Sequence, residues 1–375
     1  MSSPLPRRPA WIEIDLGVLA RNFRRLRAEL PPAGQLLFVA KDNAYGLGAV
    51  AASRVAVREG VGFLAVYTLG EAQELREAGI QARILLLGER LPEEVPAVVE
   101  LNLEPCVGQL EQASYFADAG RHRGRPLPVH LKINTGMNRF GLPWRRAAEW
   151  SRELAGWEGL EFAGVLSHFA QSDEADKTFA RVQLSRFEVA LAQLRASGIR
   201  PRLIHHCNSG GFLDLPEAHF DVVRVGLLAQ GVFPSQACRR LAGLETVLSL
   251  KARLVAFQDL EPGDTVGYGM RWRADRPSRI GLVPLGYGDG YPRLRNAGEV
   301  LIQGRRVPLV GGVTMDALMV DLTDLPGVRL GDEVVLLGRQ GSAEITAHEL
   351  AAWKGSVSYD ILTGWRARLP RVYRE

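Results

Sequence analysis

Lys41 closes a short apolar run, Leu37-Phe38-Val39-Ala40, and Asp42-Asn43-Ala44-Tyr45-Gly46-Leu47-Gly48 follows at once. The run reads as a buried strand that delivers one lysine at its end. Such a lysine is a poor core residue, but it can serve as a Schiff-base nucleophile where its surroundings depress its pKa. Gly46 and Gly48 allow a close approach to a ligand or a sharp turn into the next element. A strand ending in a solvated lysine and a glycine turn would look the same.

Other residues with chemical potential close later apolar runs. Lys132-Ile133-Asn134-Thr135-Gly136-Met137-Asn138-Arg139-Phe140-Gly141 sets an arginine between two glycines, where its planar fork could meet a carboxylate. His168 ends Val165-Leu166-Ser167, and a lone histidine beside apolar residues is commonly a satisfied core group. His205-His206-Cys207-Asn208-Ser209 invites a metal reading. Neighbouring side chains on a strand face opposite ways, so the triplet does not converge on one ion, and no metal is expected. Val223-Arg224-Val225-Gly226-Leu227 offers backbone N–H groups at Gly226 and Leu227 that could hold phosphate oxygens.

The elements that must position these residues follow a regular alternation. Trp11 to Leu16 alternates apolar and polar, as a half-exposed strand does. Gly17 to Leu30 has Leu19, Phe23 and Leu26 on one helical face. Expected strands then fall at 37–41, 62–67, 83–87, 104–107, 128–133, 161–167, 203–207 and 221–225. Helical stretches such as 69–78, 92–101, 110–119, 144–155 and 177–196 lie between them. Eight strands alternating with helices predict parallel βα units, and eight is the number that closes a TIM (β/α)8 barrel. An open doubly wound sheet is the competing topology, but no GxGxxG opens a helix after the first strand. In a barrel the working residues sit at the C-terminal strand ends, where Lys41, Arg139, His168, Ser209 and Arg224 stand. After about residue 240 short alternating runs, broken at Pro262-Gly263-Asp264, Gly304-Arg305-Arg306 and Gly331-Asp332, predict a mostly β C-terminal domain. The expected division is a flexible stretch at 1–10, a barrel at 11–239 and a β-rich domain at 240–375.

Composition bounds the partners. A formal charge of +4 with no clustered basic run argues against nucleic acid. Cys106, Cys207 and Cys238 are odd in number and far apart, with no CxxC, so neither disulfides nor zinc are expected. No run of about 18 apolar residues occurs, and the residues before Trp11 have no apolar core. The expectation is a soluble cytoplasmic protein without a signal peptide or membrane span.

The stretch Lys41 to Gly48 resembles the cofactor-lysine motif of the alanine racemases, pyridoxal-phosphate enzymes built as a barrel plus a β domain. The family commonly has histidine at Leu47. The resemblance runs from Trp11 to Tyr373 through about eight motifs. It implies that Lys41 carries the cofactor and that Tyr45, Asn208, Ser209, Gly226, Leu227 and Tyr359 help to bind it. It also implies that Arg224 pairs with the pyridine nitrogen, and that Arg139 and the Met315 amide hold the substrate carboxylate. Lys132 matches a position that is carbamylated in many members, and His168 one that hydrogen-bonds the catalytic tyrosine. Val266-Gly267-Tyr268-Gly269 is similar to the segment carrying the second base, so Lys41 and Tyr268 of the other subunit would serve opposite faces of Cα in a shared-site homodimer. Leu285 to Arg293 resembles the entryway, here with Tyr287, Tyr291 and Arg293, and Asp316 follows in Gly312-Val313-Thr314-Met315-Asp316. Thr314 and Asp360 depart from the usual cysteine and glutamate. The implied fold has strand 11–16 joining the C-terminal domain. The implied reaction interconverts L- and D-alanine and supplies peptidoglycan. A racemase for serine or a broader range, or a non-catalytic cofactor carrier, are the alternatives.

Overall fold

The computed structural model describes residues 8–375. The expected flexible stretch falls mostly on residues 1–7, outside the described residues. Arg8 is not loose, because its guanidinium donates to both oxygens of the buried Asp289 at 2.5 and 2.8 Å. The chain divides into two compact units. One comprises Leu19–Ala44 and Gly48–Glu245; the other comprises the described part of Met1–Val18, with Tyr45–Leu47 and Thr246–Glu375. The division therefore falls a few residues beyond 240, and a three-residue piece just after Lys41 clusters with the second unit.

The first unit is an eight-stranded parallel barrel. Its strands run Gln35–Val39, Phe63–Val66, Arg83–Leu86, Glu104–Val107, Leu127–Asn134, Leu160–Leu166, Leu203–His205 and Val222–Val225, the first seven each paired with the next and Val222–Val225 paired with Gln35–Val39. Between the seventh and eighth strands no ladder forms, and the seam is closed by two backbone bonds, Asp221 N–H to the Ile204 carbonyl at 3.0 Å and Arg224 N–H to the Cys207 carbonyl at 3.1 Å. All four residues of Phe63–Val66 and of Val222–Val225 are buried. Such continuous burial fits a parallel strand covered on both faces, which is why these runs show no alternation in sequence. Helix starts are legible locally: Thr68 accepts from the Glu71 N–H while the Glu71 carboxylate accepts from the Thr68 N–H, a capping box before Leu69–Glu77.

The second unit is an antiparallel sheet in the order Ala256–Leu260, Ser278–Val283, Leu318–Asp321, Arg305–Val310, Glu299–Ile302, Glu333–Gln340, Leu248–Arg253, Ala10–Asp15 and Arg371–Arg374. Only the last pairing is parallel: Ala10–Asp15 runs antiparallel to Leu248–Arg253 on one side and parallel to Arg371–Arg374 on the other. The alternation read at 11–16 thus belongs to a strand inserted between two segments distant in sequence. Ile12 and Ile14 are its buried face. Ile14→Ala should lower stability by about 2–5 kcal/mol through the cavity it leaves. Urea unfolding followed by circular dichroism checks this, and an unchanged midpoint would mean that this strand does not carry the sheet.

Candidate active site

The barrel strands bring the sequence-predicted residues of the first unit to one mouth, the C-terminal end. Lys41 follows Gln35–Val39 after the fully buried Ala40, so the lysine begins the loop instead of ending the strand. The backbone that follows is unusual. Asp42, Asn43, Ala44 and Tyr45 all have positive φ, between 51° and 54°. A left-handed turn costs roughly 1–2 kcal/mol per L-residue, so the surroundings must hold it. Three side chains do so. Glu71 Oε1 accepts from the Asp42 N–H at 2.6 Å, Asn43 Oδ1 accepts from the Ala49 N–H at 2.8 Å, and Gln230 donates to the Ala44 carbonyl at 3.0 Å. Glu71 and Gln230 were not among the expected site residues. The capping box at Thr68 marks Glu71 in sequence, but nothing local marks its second role, nor Gln230.

The electrostatics of this mouth are set by cations. Burial and the nearby charge of Arg139 lower the Lys41 pKa, while Glu71 and Asp42 oppose the shift. No salt bridge involves Lys41 among the described residues. Arg139 stands exposed in the loop after Leu127–Asn134, its guanidinium 5.1 Å from the Phe140 ring centroid. Asn134 shapes that loop by accepting from the Gly136 and Asn138 N–H groups at 3.0 and 3.1 Å. Lys132 is only 6% exposed, and burial, with Arg224 and Arg139 adding to it, brings its pKa to about 7.

Arg224 is 4% exposed and donates to the carbonyls of His205, Ser167 and His206 at 3.2, 2.7 and 3.0 Å. It also reaches Nδ1 of His168 at 3.1 Å. An arginine has no acceptor, so His168 must present a lone pair there and carry its proton on Nε2. Burial pushes His168 well below the usual histidine range, with the cations adding to it, and keeps the ring neutral. Asn208 caps Ser209–Asp214, its Oδ1 accepting from the Gly211 N–H at 3.0 Å and the Ser172 hydroxyl at 2.8 Å. That leaves its amide protons as donors beside the buried Ser209 hydroxyl. Gly226 and Leu227 open the turn after Val222–Val225. His205 and His206 diverge as the strand geometry requires. His206 stacks on Phe187 at 4.9 Å, and no group of three metal-ligating side chains is present among the described residues. All three cysteines are free and buried, and burial pushes the Cys207 thiol far up.

In the second unit Tyr268 sits in the turn Tyr268–Met270, framed by Gly267 and Gly269 at φ 74° and 75°, and is 84% exposed. It lines a cavity of about 190 Å³ with Arg271, Arg293 and Arg295. Arg293 also lies over the Tyr287 ring at 5.6 Å. The two loops Gly286–Gly288 and Thr314–Asp316 are laced by Tyr287 N–H to the Thr314 carbonyl at 3.0 Å and Gly288 N–H to the Met315 carbonyl at 2.8 Å. A Cβ at Gly286 would lie 2.2 Å from the Thr314 carbonyl oxygen, so this lacing requires glycine. Arg368 bridges Asp289 and Asp316 at 2.9 and 2.5 Å and fixes the outer end of the second loop. Tyr359 packs near Tyr45, ring centroids 6.2 Å apart. Tyr291, read from sequence with the entryway, is almost wholly buried and packs as core of this unit.

An amine whose pKa is lowered by burial, set among hydroxyl, amide and guanidinium donors, suits a carbonyl compound bearing an anionic group. A βα barrel with that set at its C-terminal mouth, joined to a separate antiparallel β unit, defines a barrel enzyme with an accessory β domain. Residues 14–234 match the family described as alanine racemase, N-terminal domain, and residues 247–373 match alanine racemase, C-terminal domain. The chain belongs to the alanine racemase family. It is 42% identical over 367 residues to the alanine racemase of Symbiobacterium thermophilum, covering 98% of this chain and 97% of that protein. It is 41% identical over 353 residues to that of Syntrophobacter fumaroxidans, covering 94% of each. The crystal structure of alanine racemase from a D-cycloserine-producing Streptomyces lavendulae superposes with a TM-score of 0.92 at 35% identity, covering 99% of this chain and 98% of that one. That from Bacillus anthracis with bound L-Ala-P gives 0.90 at 33%, covering 100% and 96%.

The depressed Lys132 pKa has a consequence for stability. The folded value of about 7 lies below the 10.5 of a free lysine, so between these pH values the unfolded chain binds a proton that the folded chain does not. The buried amine therefore destabilises the fold fully below pH 7 and progressively less up to about 10.5. In carbon-dioxide-free buffer, Lys132→Met should be stabilised relative to the parent most at pH 6.5 and least near pH 10. A difference independent of pH, measured by urea unfolding, would refute the assignment.

Proposed function

We propose that the protein is a pyridoxal-phosphate-dependent racemase that interconverts L- and D-alanine, working as a homodimer with shared sites. The observation that carries this reading is Lys41, an amine with a lowered pKa at a barrel-strand end, held there by a strained turn among cationic groups. The donor set fits the cofactor. Lys41 would bind its carbonyl carbon, Ser209, Tyr359 and the Gly226 and Leu227 amides its phosphate, and Arg224 its ring nitrogen, with Tyr45 and Asn208 beside them. Bound there, pyridoxal phosphate supplies an electron sink that makes the Cα proton of an attached amino acid acidic. A permanently charged Arg224 donates a hydrogen bond to a ring nitrogen without handing over a proton, which limits that sink and favours proton return at Cα.

Inversion needs two bases on opposite faces. The amine of Lys41, its pKa lowered by burial, takes the proton on the D face, and its ammonium form returns it. Tyr268 of the partner subunit serves the L face. Its 84% exposure, alongside the exposed Met270 and Met315, supports a turn that works against a second chain. The Nε2 proton of His168, left outward by the Arg224 contact, can donate to a tyrosinate and ease its formation. Arg139 and the Met315 N–H hold the substrate carboxylate, and Tyr287, Arg293 and Asp316 screen the approach. The Lys132 amine, partly neutral at neutral pH, can add carbon dioxide with loss of a proton and become a carbamate beside Arg139, replacing repulsion by attraction. Three free cysteines fit a reducing compartment, the cytoplasm. The product would supply D-alanine for peptidoglycan.

Circular dichroism of the cofactor-loaded protein tests the reading. The signal of L-alanine should decay to zero, and D-alanine should reach the same endpoint. A flat trace on alanine with turnover of serine would move the substrate, and no turnover with cofactor bound would leave a carrier. Lys41→Ala should abolish the cofactor's bound absorbance. Tyr268→Phe should cut racemisation by about a hundredfold or more, the scale of one lost acid–base group, while cofactor binding persists. Full activity in a species that sediments as a monomer would overturn the shared site.

A further inference from the structure

Arg224 is buried in the barrel, and no carboxylate lies within ion-pairing distance of it among the described residues. A buried cation without a counter-charge is costly. Its Nη1 touches Nδ1 of His205 at 3.2 Å. His205 Nε2 lies 2.9 Å from Nδ1 of His130, and His130 Nε2 lies 2.9 Å from Oε2 of Glu104. The direction of every proton in this line is forced. Arg224 can only donate, so His205 Nδ1 accepts and the ring carries its proton on Nε2. That proton goes to His130 Nδ1, which leaves the His130 proton on Nε2 and pointing at Glu104. Burial lowers the pKa of both rings, consistent with one proton on each. Glu104 opens the strand Glu104–Val107, at the barrel mouth opposite Lys41, and also accepts the fork of Arg83 at 2.6 and 2.7 Å. Burial pushes its pKa up, but the bonds from His130 and Arg83 outweigh that and hold it at about 2. Gly164 makes room for the line: a Cβ there would lie 2.2 Å from His130 Nδ1.

We propose that Glu104 is a positioning residue for the site: through His130 and His205 it serves as the remote counter-charge of Arg224 and fixes the ring protons that keep Arg224, and through it His168, in their working state. The role at the site rests on the racemase reading above; the relay itself does not. If Glu104 is replaced by a group that donates to His130, the line reverses and sets a proton of His205 against Arg224. Glu104→Gln does this in part, since its single acceptor oxygen must choose between Arg83 and His130.

Nitrogen NMR of histidine-labelled protein, which distinguishes Nε2–H, Nδ1–H and imidazolium rings, is the decisive measurement. Each of the seven histidines is assigned by single substitution. The parent protein should show His130, His205 and His168 as Nε2–H rings. An Nδ1–H or charged ring at His130 or His205 in the parent would overturn the proposal, and this holds even if no variant folds. Glu104→Gln should shift the His205 and His168 ring signals and lower kcat on the order of tenfold in both directions, the equivalent of one charge-assisted hydrogen bond, with KM little changed. Glu104→Asp should recover part of both. Unmoved His205 signals in Glu104→Gln, or moved signals with an unchanged kcat, would also overturn it. A parent protein that shows the expected rings but racemises nothing would leave the relay standing and remove the functional reading.

Discussion

The barrel interior depends on one unfavourable placement, a guanidinium kept inside it at Arg224. Fixed charge in an apolar core demands acceptors, and the parallel strands supply them at their C-terminal ends, where ladder hydrogen bonding runs out and carbonyls are free. The carbonyls of Ser167, His205 and His206 come from two neighbouring strand ends, so Arg224 is satisfied only if the barrel closes in register. The seam beside it is the thin one, and the Arg224 N–H itself carries one of its two backbone bonds. The same residue thus closes the sheet with its backbone and braces it with its side chain.

The cation then dictates the state of its neighbours. Imidazoles against a buried guanidinium stay neutral, because a second positive charge there would meet both desolvation and repulsion. The amine of Lys132 is driven down for the same two reasons, with burial the larger. Lys41 stands where burial and Arg139 act in the same direction, while Glu71, bound to the adjoining backbone, acts the other way. The result is a mouth rich in donors, where an amine is held at a lowered pKa.

Much of this frame is legible in sequence, and what is not has a physical reason. The eight barrel strands and the long helices follow from apolar runs of the right length, and Lys41 and His168 stand out because each follows such a run, Arg224 because it interrupts one. The left-handed turn from Asp42 to Tyr45 does not show: one glycine signals a positive φ, but four successive L-residues forced there are held by Glu71 and Gln230, far along the chain. The pairing of Ala10–Asp15 with two remote strands is likewise non-local, since alternation marks a strand and never names its partner. Tyr291 shares its Gly-Tyr-Pro setting with residues of an open loop, yet burial takes it into the core.

His130 and Glu104 illustrate a different blindness. Glu104 opens a fully buried strand and His130 lies within another, and there a polar side chain reads as tolerated noise. His130 sits two residues before Lys132, so both point to the same face of the strand, and that face is the barrel interior. Two titratable groups on one inward face cannot both be charged. Burial, with the cations around it, drives Lys132 toward its free amine, and burial keeps His130 neutral against the pull of Glu104, whose charge Arg83 steadies at the opposite mouth. The interior is therefore arranged as a line of matched donors and acceptors with a cation at one end and an anion at the other. A barrel core can hold such a line only where every link is polar-satisfied, because a single reversed ring would leave two donors facing each other with no water to separate them.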